Sequence, residues 1–286
     1  MNDFEFHAPT SLKDAVTLFA QYDGGANVMS GGTALMLLLK QSLVQPDHII
    51  SLHRVPECRS IEVSDGVLRI GGLVTIREAE TSAVVQEATP LLANAYSRVA
   101  TVRIRNSATI GGALAQADPA MDPPPSLLIL NASVKVTSAI GQRVIPIADW
   151  YSDYYETSIE PGEIVTELQV PIQPKNQGWS YIKYLPRTED DYPTVGAAAL
   201  GRVENGKIAE IRVGLGAVSS TALRATDLES ALQGADAKFD VLKDASQSIA
   251  GIVDPTSDPR GSAEYKRDMA VVFARRVMQA ALGVDG

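Results

Sequence analysis

Two short stretches set paired glycines between small, mostly hydroxyl-bearing residues: Ser30-Gly31-Gly32-Thr33 and Thr109-Ile110-Gly111-Gly112-Ala113. A glycine has no Cβ, so the main chain can come close to a ligand and present its N–H groups. A helix beginning just after such a loop adds unpaired N–H groups and the positive end of its dipole. The chemistry implied is anion binding, with a diphosphate as the fitting ligand. The alternative is a plain turn, since many glycine pairs are nothing more. Gly71-Gly72 closes a hairpin strand without flanking hydroxyls and reads as structural. The run Gly214-Leu215-Gly216-Ala217-Val218-Ser219 resembles a dinucleotide fingerprint but has serine in place of the third glycine. No helix plainly opens there and no βαβ unit follows, so it reads as a sheet edge.

Other reactive side chains are sparse. Cys58 is the single cysteine, which forbids an internal disulfide and a cysteine-ligated cluster held by this chain alone. His7, His48 and His53 show no metal-site spacing and read as structural. No metal site is expected here, and any metal chemistry belongs to a partner. Asp122 precedes Pro123 and reads as a helix N-cap. Lys183 reads as a strand lysine, and Glu189-Asp190-Asp191 as a solvated acidic loop. The formal net charge is −9, and the one dense basic stretch, 98–105, is interleaved with apolar residues. Nucleic acid and anionic membranes are therefore not expected partners. The first residues lack the basic and apolar regions of a secretory signal, and no apolar run is long enough to span a bilayer, so a cytoplasmic location is expected.

The elements that must carry these residues alternate early and segregate later. Strands are predicted at 4–6, 27–29 and 48–52, and helices at 12–21 (with Ser11 as N-cap) and 34–41. A hairpin is predicted over 61–70 around Asp65-Gly66, then helices at 75–81 and 90–100. Strands at 134–137 and 144–147 turn at Gly141, and another strand covers 164–171. The breaker cluster 173–178 marks a domain boundary. Beyond it come strands at 180–185, 195–203 and 207–216, the last two joined by Asn205-Gly206, and helices at 226–233, 240–251 and 262–282. The class is α+β, as one domain over 1–173 and a second over 178–286 made of antiparallel sheet with helices.

Read with their neighbours, the loops resemble those of a known family. The run 27–35, Asn-Val-Met-Ser-Gly-Gly-Thr-Ala-Leu, is similar to the first FAD loop of the molybdenum hydroxylase flavoproteins. That family includes the medium subunit of aerobic carbon monoxide dehydrogenase and the flavin domain of xanthine dehydrogenase. The run 102–112, Val-Arg-Ile-Arg-Asn-Ser-Ala-Thr-Ile-Gly-Gly, followed by 115–122, Ala-Gln-Ala-Asp-Pro-Ala-Met-Asp, is a longer and more specific match. Tyr181-Ile182-Lys183-Tyr184 with 187–192, and Tyr265-Lys266-Arg267 with 274–277, extend the resemblance along nearly the whole chain.

The resemblance implies the vanillyl-alcohol-oxidase-type (PCMH-type) two-subdomain FAD-binding fold over 1–173, a flavoprotein C-terminal domain, and FAD between them. It implies that Ser30, Gly31, Gly32, Thr33, Ala34 and Leu35, together with Thr109, Gly111, Gly112 and Ala113, surround the diphosphate and ribityl chain. Met29, Ala100 and Gln116 join the cofactor-binding set. Asp122 corresponds to an acidic residue at the adenosine end, Val99 to an apolar residue near the cofactor and Val165 to one on the adenine side. Lys183 and Tyr192 are implied to be flavin-proximal. Thr33 stands where the wider superfamily often has a histidine linked to FAD, which implies non-covalent FAD. Ala113 stands where relatives often carry a polar residue.

The function implied is electron transfer from the iron–sulfur clusters of a small subunit, through FAD, to a small-molecule or protein acceptor. A large subunit with the molybdenum cofactor would complete a heterotrimer, itself able to dimerise. No residue of this chain is expected to be catalytic beyond the flavin-proximal pair. Two alternatives remain open: a stand-alone flavin-dependent oxidoreductase of the same fold, and a scaffold that has lost FAD. A valine at Gly111 is expected to abolish flavin retention by meeting phosphate.

Overall fold

A computed structural model describes residues 3–22, 24–186, 188 and 190–285 of the chain. They pack as two compact units. The first comprises Met1–Ala88, Thr101–Ala117 and Ala132–Pro171; the second comprises Thr89–Ala100, Asp118–Asn131 and Ile172–Gly286. The second unit thus recruits two segments that precede residue 173 in sequence. Helices and strands mix in both units, as an α+β chain requires.

The first unit holds two main sheets. Strands Glu5–His7, His48–Ser51 and Ala26–Met29 form a parallel sheet with His48–Ser51 in the middle. Helix Leu12–Gln21 connects two of these strands, and Ser11 caps it by accepting the Asp14 N–H. Its buried Ala15 and Val16 pack with Ile50, Leu52, Val55, Cys58, Leu73 and Ile164. The second sheet is antiparallel, in the order Ile61–Ser64, Val67–Gly71, Ile164–Pro171, Ser133–Ser138, Gly141–Pro146. Its first hairpin turns at Asp65 and Gly66, both at positive φ (52° and 73°), the geometry that follows the twist of paired strands. The predicted turn at Gly141 lies two residues earlier, because Gly141 already pairs with Ser138. Helix Ile76–Thr81 opens with a capping box between Thr75 and Glu78. Elements without a prediction include helices Ala83–Ala88, Val102–Arg105 and Ile110–Gln116, the hairpin Tyr151–Asp153 with Glu156–Thr157, and the short strand Leu223–Arg224.

In the second unit, strands Gly178–Tyr184, Val195–Glu204, Lys207–Gly216 and Leu223–Arg224 form an antiparallel sheet. Val195–Glu204 is buried along most of its length because both faces of the sheet are covered. Val195, Ala197 and Ala199 face a core shared with Phe273, Ala274 and Val277 of helix Ala263–Leu282. The opposite face meets helix Pro123–Ile129, and there glycine is needed for the approach. A Cβ on Gly214 would lie 2.4 Å from the Pro125 carbonyl oxygen, and one on Gly216 would lie 2.9 Å from Pro125 Cγ. The glycines of the fingerprint-like run are therefore packing residues, and the chain continues into strand Leu223–Arg224 rather than a nucleotide-binding helix. Among the described residues, no helix is long and apolar enough to cross a membrane.

Candidate functional site

The first glycine loop leaves strand Ala26–Met29 and enters the six-residue helix Leu35–Lys40. Gly32 sits at φ +70°, a conformation that side-chain-bearing residues rarely adopt. Gly31 has a different reason to be glycine: its Cβ would lie 1.9 Å from the Ser107 carbonyl oxygen. The loop 30–35 therefore rests against the start of the second loop. Ser30 Oγ completes the junction with a 2.8 Å hydrogen bond to Thr109 Oγ1.

The second loop is anchored to protein on every side. Thr109 caps helix Ile110–Gln116, and its hydroxyl accepts the Gly112 N–H at 3.1 Å. Ile110 N donates to the Val74 carbonyl (2.9 Å), Gly111 N to the Gly72 carbonyl (2.8 Å) and Ala113 N to the Thr109 carbonyl (2.9 Å). A Cβ on Gly111 would lie 2.8 Å from Gly72 O and 3.1 Å from Val165 O, so a valine there meets protein main chain before any ligand. Gly72, read from sequence as structural, is the floor of this loop; its N–H in turn donates to Thr166 O at 2.8 Å. Val165 is buried beside a register shift in strand Ile164–Pro171. Farther along the helix, the buried Trp150 donates its indole N–H to Leu114 O at 3.0 Å. Gln116 is half-buried, one residue before the left-handed Ala117 that ends the helix.

The two loops thus differ in what they leave available. The N–H groups of Ile110, Gly111, Gly112 and Ala113 all have protein acceptors. Those of Gly31, Gly32, Thr33, Ala34 and Leu35 have none among the described residues, and all five residues are half-buried rather than fully covered. Main-chain donors without partners are uncommon in folded proteins, and a succession of them fits an anion. The helix that follows is under two turns, so the free N–H groups matter more than a large macrodipole. Met29, at the end of the entering strand, lies close to Gly32.

In the second unit a separate polar cluster has formed. Asp122 stands at the N-cap position of helix Pro123–Ile129 but makes no side-chain cap bond, contrary to the capping role predicted for it. Instead Tyr181 donates its hydroxyl to Oδ1 at 2.7 Å, and Lys183 donates to Oδ2 at 3.0 Å. Lys183 also donates to the Arg98 carbonyl oxygen at 2.7 Å. Tyr181 and Lys183 are two apart on one strand and so share a face. The Lys183 and Asp122 side chains are each only 5% exposed, so Lys183 is not on a solvated face. Burial pushes the Asp122 carboxyl up to about 6, while Lys183 and Tyr181 hold it from going further. Val99 and Ala100 follow helix Pro90–Ser97 and are half-buried, with Ala100 left-handed at φ 39°. Tyr192 is exposed, and the Arg260 guanidinium lies 5.7 Å from its ring centroid. Arg187 and Glu189, parts of the motif and of the acidic loop read from sequence, lie outside the described residues.

Sequence reasoning read Gly72 only as structural and gave Ser107, Trp150 and Tyr181 no role of their own. Only Tyr181 left a local trace, through its spacing of two from Lys183; the other three matter because of long-range pairing.

Comparisons with known proteins cover the whole chain. Residues 2–173 match the FAD binding domain in molybdopterin dehydrogenase, and residues 180–281 match the CO dehydrogenase flavoprotein C-terminal domain. The carbon monoxide dehydrogenase medium chain of Hydrogenophaga pseudoflava is 33% identical, over 97% of this chain and 96% of the relative. The xanthine dehydrogenase FAD-binding subunit of Escherichia coli O157:H7 is 31% identical, over 100% and 99%. Among solved structures, a carbon monoxide dehydrogenase from Hydrogenophaga pseudoflava superposes with a TM-score of 0.94 at 34% identity, covering 98% of this chain and 97% of that one. Quinoline 2-oxidoreductase from Pseudomonas putida 86 gives 0.93 at 30% identity, over 98% and 97%. With both halves matched in order and strands, loops and helices in the corresponding fold, the chain belongs to the FAD-binding flavoprotein family of the molybdopterin dehydrogenases.

Proposed function

We propose that the chain is the FAD-binding, electron-transferring subunit of a heteromeric molybdenum hydroxylase. It takes electrons from iron–sulfur clusters on a small partner and delivers them to an external acceptor, while a large partner carries the molybdenum cofactor. Relatives spanning its full length are named as medium chains or FAD-binding subunits of such dehydrogenases. Cys58 fits this division of labour: it is buried, and burial pushes its thiol up to about 11, far from the thiolate a cluster ligand must be. Within this reading, residues 1–173 form the FAD-binding domain, 178–286 the C-terminal flavoprotein domain, and the location is cytoplasmic.

The observation that carries the proposal is the succession of N–H groups from residue 31 to residue 35 that have no partner among the described residues. The residues present fit FAD at its pyrophosphate: successive N–H groups have no partner among the described residues, Gly32 supplies the turn, and no side chain at Gly31 or Gly32 intrudes. Thr33 offers no ring nitrogen, so the cofactor is held without a covalent link. Bound FAD supplies the redox chemistry, which none of the protein's own groups can provide. The second loop positions: Thr109 and Ser107 brace Ser30 and Gly31, while Gly72, Val165 and the helix bearing Ala113 and Gln116 form the support. Asp122, Tyr181 and Lys183 tie a helix start, a strand and the chain at Arg98 together, which fixes the neighbouring Val99 and Ala100. The Lys183 charge is thereby already compensated by Asp122. Tyr192 is assigned to the flavin's exposed side.

The native complex provides the test. Purified through this chain, it should carry FAD, with iron and molybdenum on co-purifying subunits, and its flavin absorption should bleach when the hydroxylase substrate is added anaerobically. A yellow, active chain without either metal contradicts the subunit reading in favour of a stand-alone oxidoreductase.

A further inference from the structure

Away from the flavin loops, the parallel sheet of the first unit brings together residues that lie far apart in sequence. Glu5 and His7 sit two apart on strand Glu5–His7 and so point to one face. Glu5 is directly in register with His48 on the central strand. His7 Nε2 lies 3.2 Å from His48 Nδ1, His48 Nδ1 lies 3.4 Å from Glu5 Oε2, and His7 Nε2 lies 3.9 Å from that same oxygen. A tetrahedral ion bound at about 2.0–2.1 Å needs donor atoms roughly 3.3 Å apart, so this triangle is already close to coordination geometry.

Hydrogen bonding alone explains the arrangement poorly. His48 Nδ1 faces both other donor atoms, and one ring nitrogen carries at most one proton. A cation at the centre satisfies all three at once. The histidine rings are held from outside: Tyr22 stacks on His48 with centroids 3.8 Å apart and planes 18° from parallel, and on His7 at 5.0 Å. The histidine side chains are mostly buried, 14% and 21% exposed, whereas Glu5 is 66% exposed. One side of the triangle is therefore open to a water as fourth ligand.

We propose that Glu5, His7 and His48 bind a divalent transition-metal ion of the zinc type, with solvent in the fourth position. Two imidazoles and one carboxylate suit such an ion better than calcium or magnesium, which prefer oxygen throughout. The site fastens the first strand to the central strand of the sheet. It lies beside Ala26, at the end of the sheet opposite the exit from Met29 into the glycine loop. Its role is accordingly structural: it clamps the sheet from which that loop emerges.

The test uses the untagged full chain with its flavin. Competition of Zn²⁺ against a chromophoric chelator should show about one tight equivalent per chain, and Co²⁺ should give intense tetrahedral bands to the red of the flavin absorption. His48→Gln should weaken zinc binding by about tenfold to a hundredfold or more and abolish the zinc-dependent rise in Tm. His53→Gln, whose ring bonds Ser51 and Arg54 outside the cluster, should change neither. Should His48→Gln fail to fold, Glu5→Gln at the exposed position provides the same loss with the sheet intact. Equal zinc affinity in the wild type and the cluster variants, or a Co²⁺ spectrum no stronger than that of the aqua ion, overturns the proposal. Flavin content, measured alongside, is a separate readout and bears on the FAD assignment instead.

Discussion

The loops 30–35 and 109–113 share glycine pairs and flanking hydroxyls, yet they do opposite things with their main chain. In one, five successive N–H groups lack partners among the described residues; in the other, four successive N–H groups are bonded to Val74, Gly72, Thr109 Oγ1 and Thr109 O. The lesson is that a glycine pair reports close approach without saying what approaches. At Gly31 and Gly111 the near neighbour is protein main chain. On the proposed reading the first loop keeps its donors for FAD, while the second engages its own with Val74, Gly72 and Thr109 and meets the first through Thr109 and Ser107.

The same distinction applies to charged groups, and the largest expected effect lies there. Lys183→Met leaves the Asp122 carboxylate buried without its cation. It should cost about 3–5 kcal/mol of stability in chemical denaturation, the usual loss on breaking a buried pair. A loss below about 1 kcal/mol would mean that Lys183 is held for a ligand after all.

Gly31→Ala comes next, since its new methyl would overlap the Ser107 carbonyl at 1.9 Å; about 3 kcal/mol is expected, with flavin lost as a consequence. Gly111→Ala, with contacts from 2.8 Å, should cost about 1–2 kcal/mol and lower flavin retention only in proportion. Flavin loss from Gly111→Ala at undiminished Tm would erase the contrast between the loops.

The pH dependence at Asp122 is gentler. Its carboxyl is raised by burial from 3.8 to about 6, so the folded state holds the proton more tightly than the unfolded chain. The sign follows: its contribution is fully present below about pH 4 and is lost as pH rises through about 6. The stability of the wild type minus that of Asp122→Asn should therefore decline across that window. A flat or rising difference would show that Lys183 dominates over burial.

Ala34→Pro sharpens the contrast most and disturbs the fold least. The backbone at Ala34 (φ −84°) is near the value proline fixes, and its N–H has no partner among the described residues. The unfolding free energy of the flavin-free protein should hold within about 1 kcal/mol of wild type, while FAD affinity falls about tenfold or more for one lost charge-assisted donor.

How much of this was legible in the sequence depends on the range of the interaction. The Ser11 cap, the Asp65-Gly66 and Asn205-Gly206 turns and the long C-terminal helix are local, and each follows from a few adjacent residues. Helices Ala83–Ala88 and Val102–Arg105 are too short to show a periodicity. Asp122 has the sequence of an N-cap but turns to Tyr181 and Lys183, some sixty residues away. The buried strand Val195–Glu204 lacks alternation because helices cover both of its faces, as in sheets enclosed on two sides. His7 and His48 show no ligand spacing because parallel strand pairing joins them, and local pattern does not set which strands pair. The glycine loops were visible as a pair, but their division of labour rests on where Gly72 and Ser107 lie.

Amide hydrogen exchange of the chain with and without FAD tests that division most directly. Peptides covering residues 31–35 should exchange quickly in the flavin-free protein and become strongly protected when FAD binds, whereas those covering 110–113 should be protected in both states. If FAD instead slows exchange at 110–113 and leaves 31–35 unchanged, the cofactor's phosphates lie on the other loop and the account is wrong.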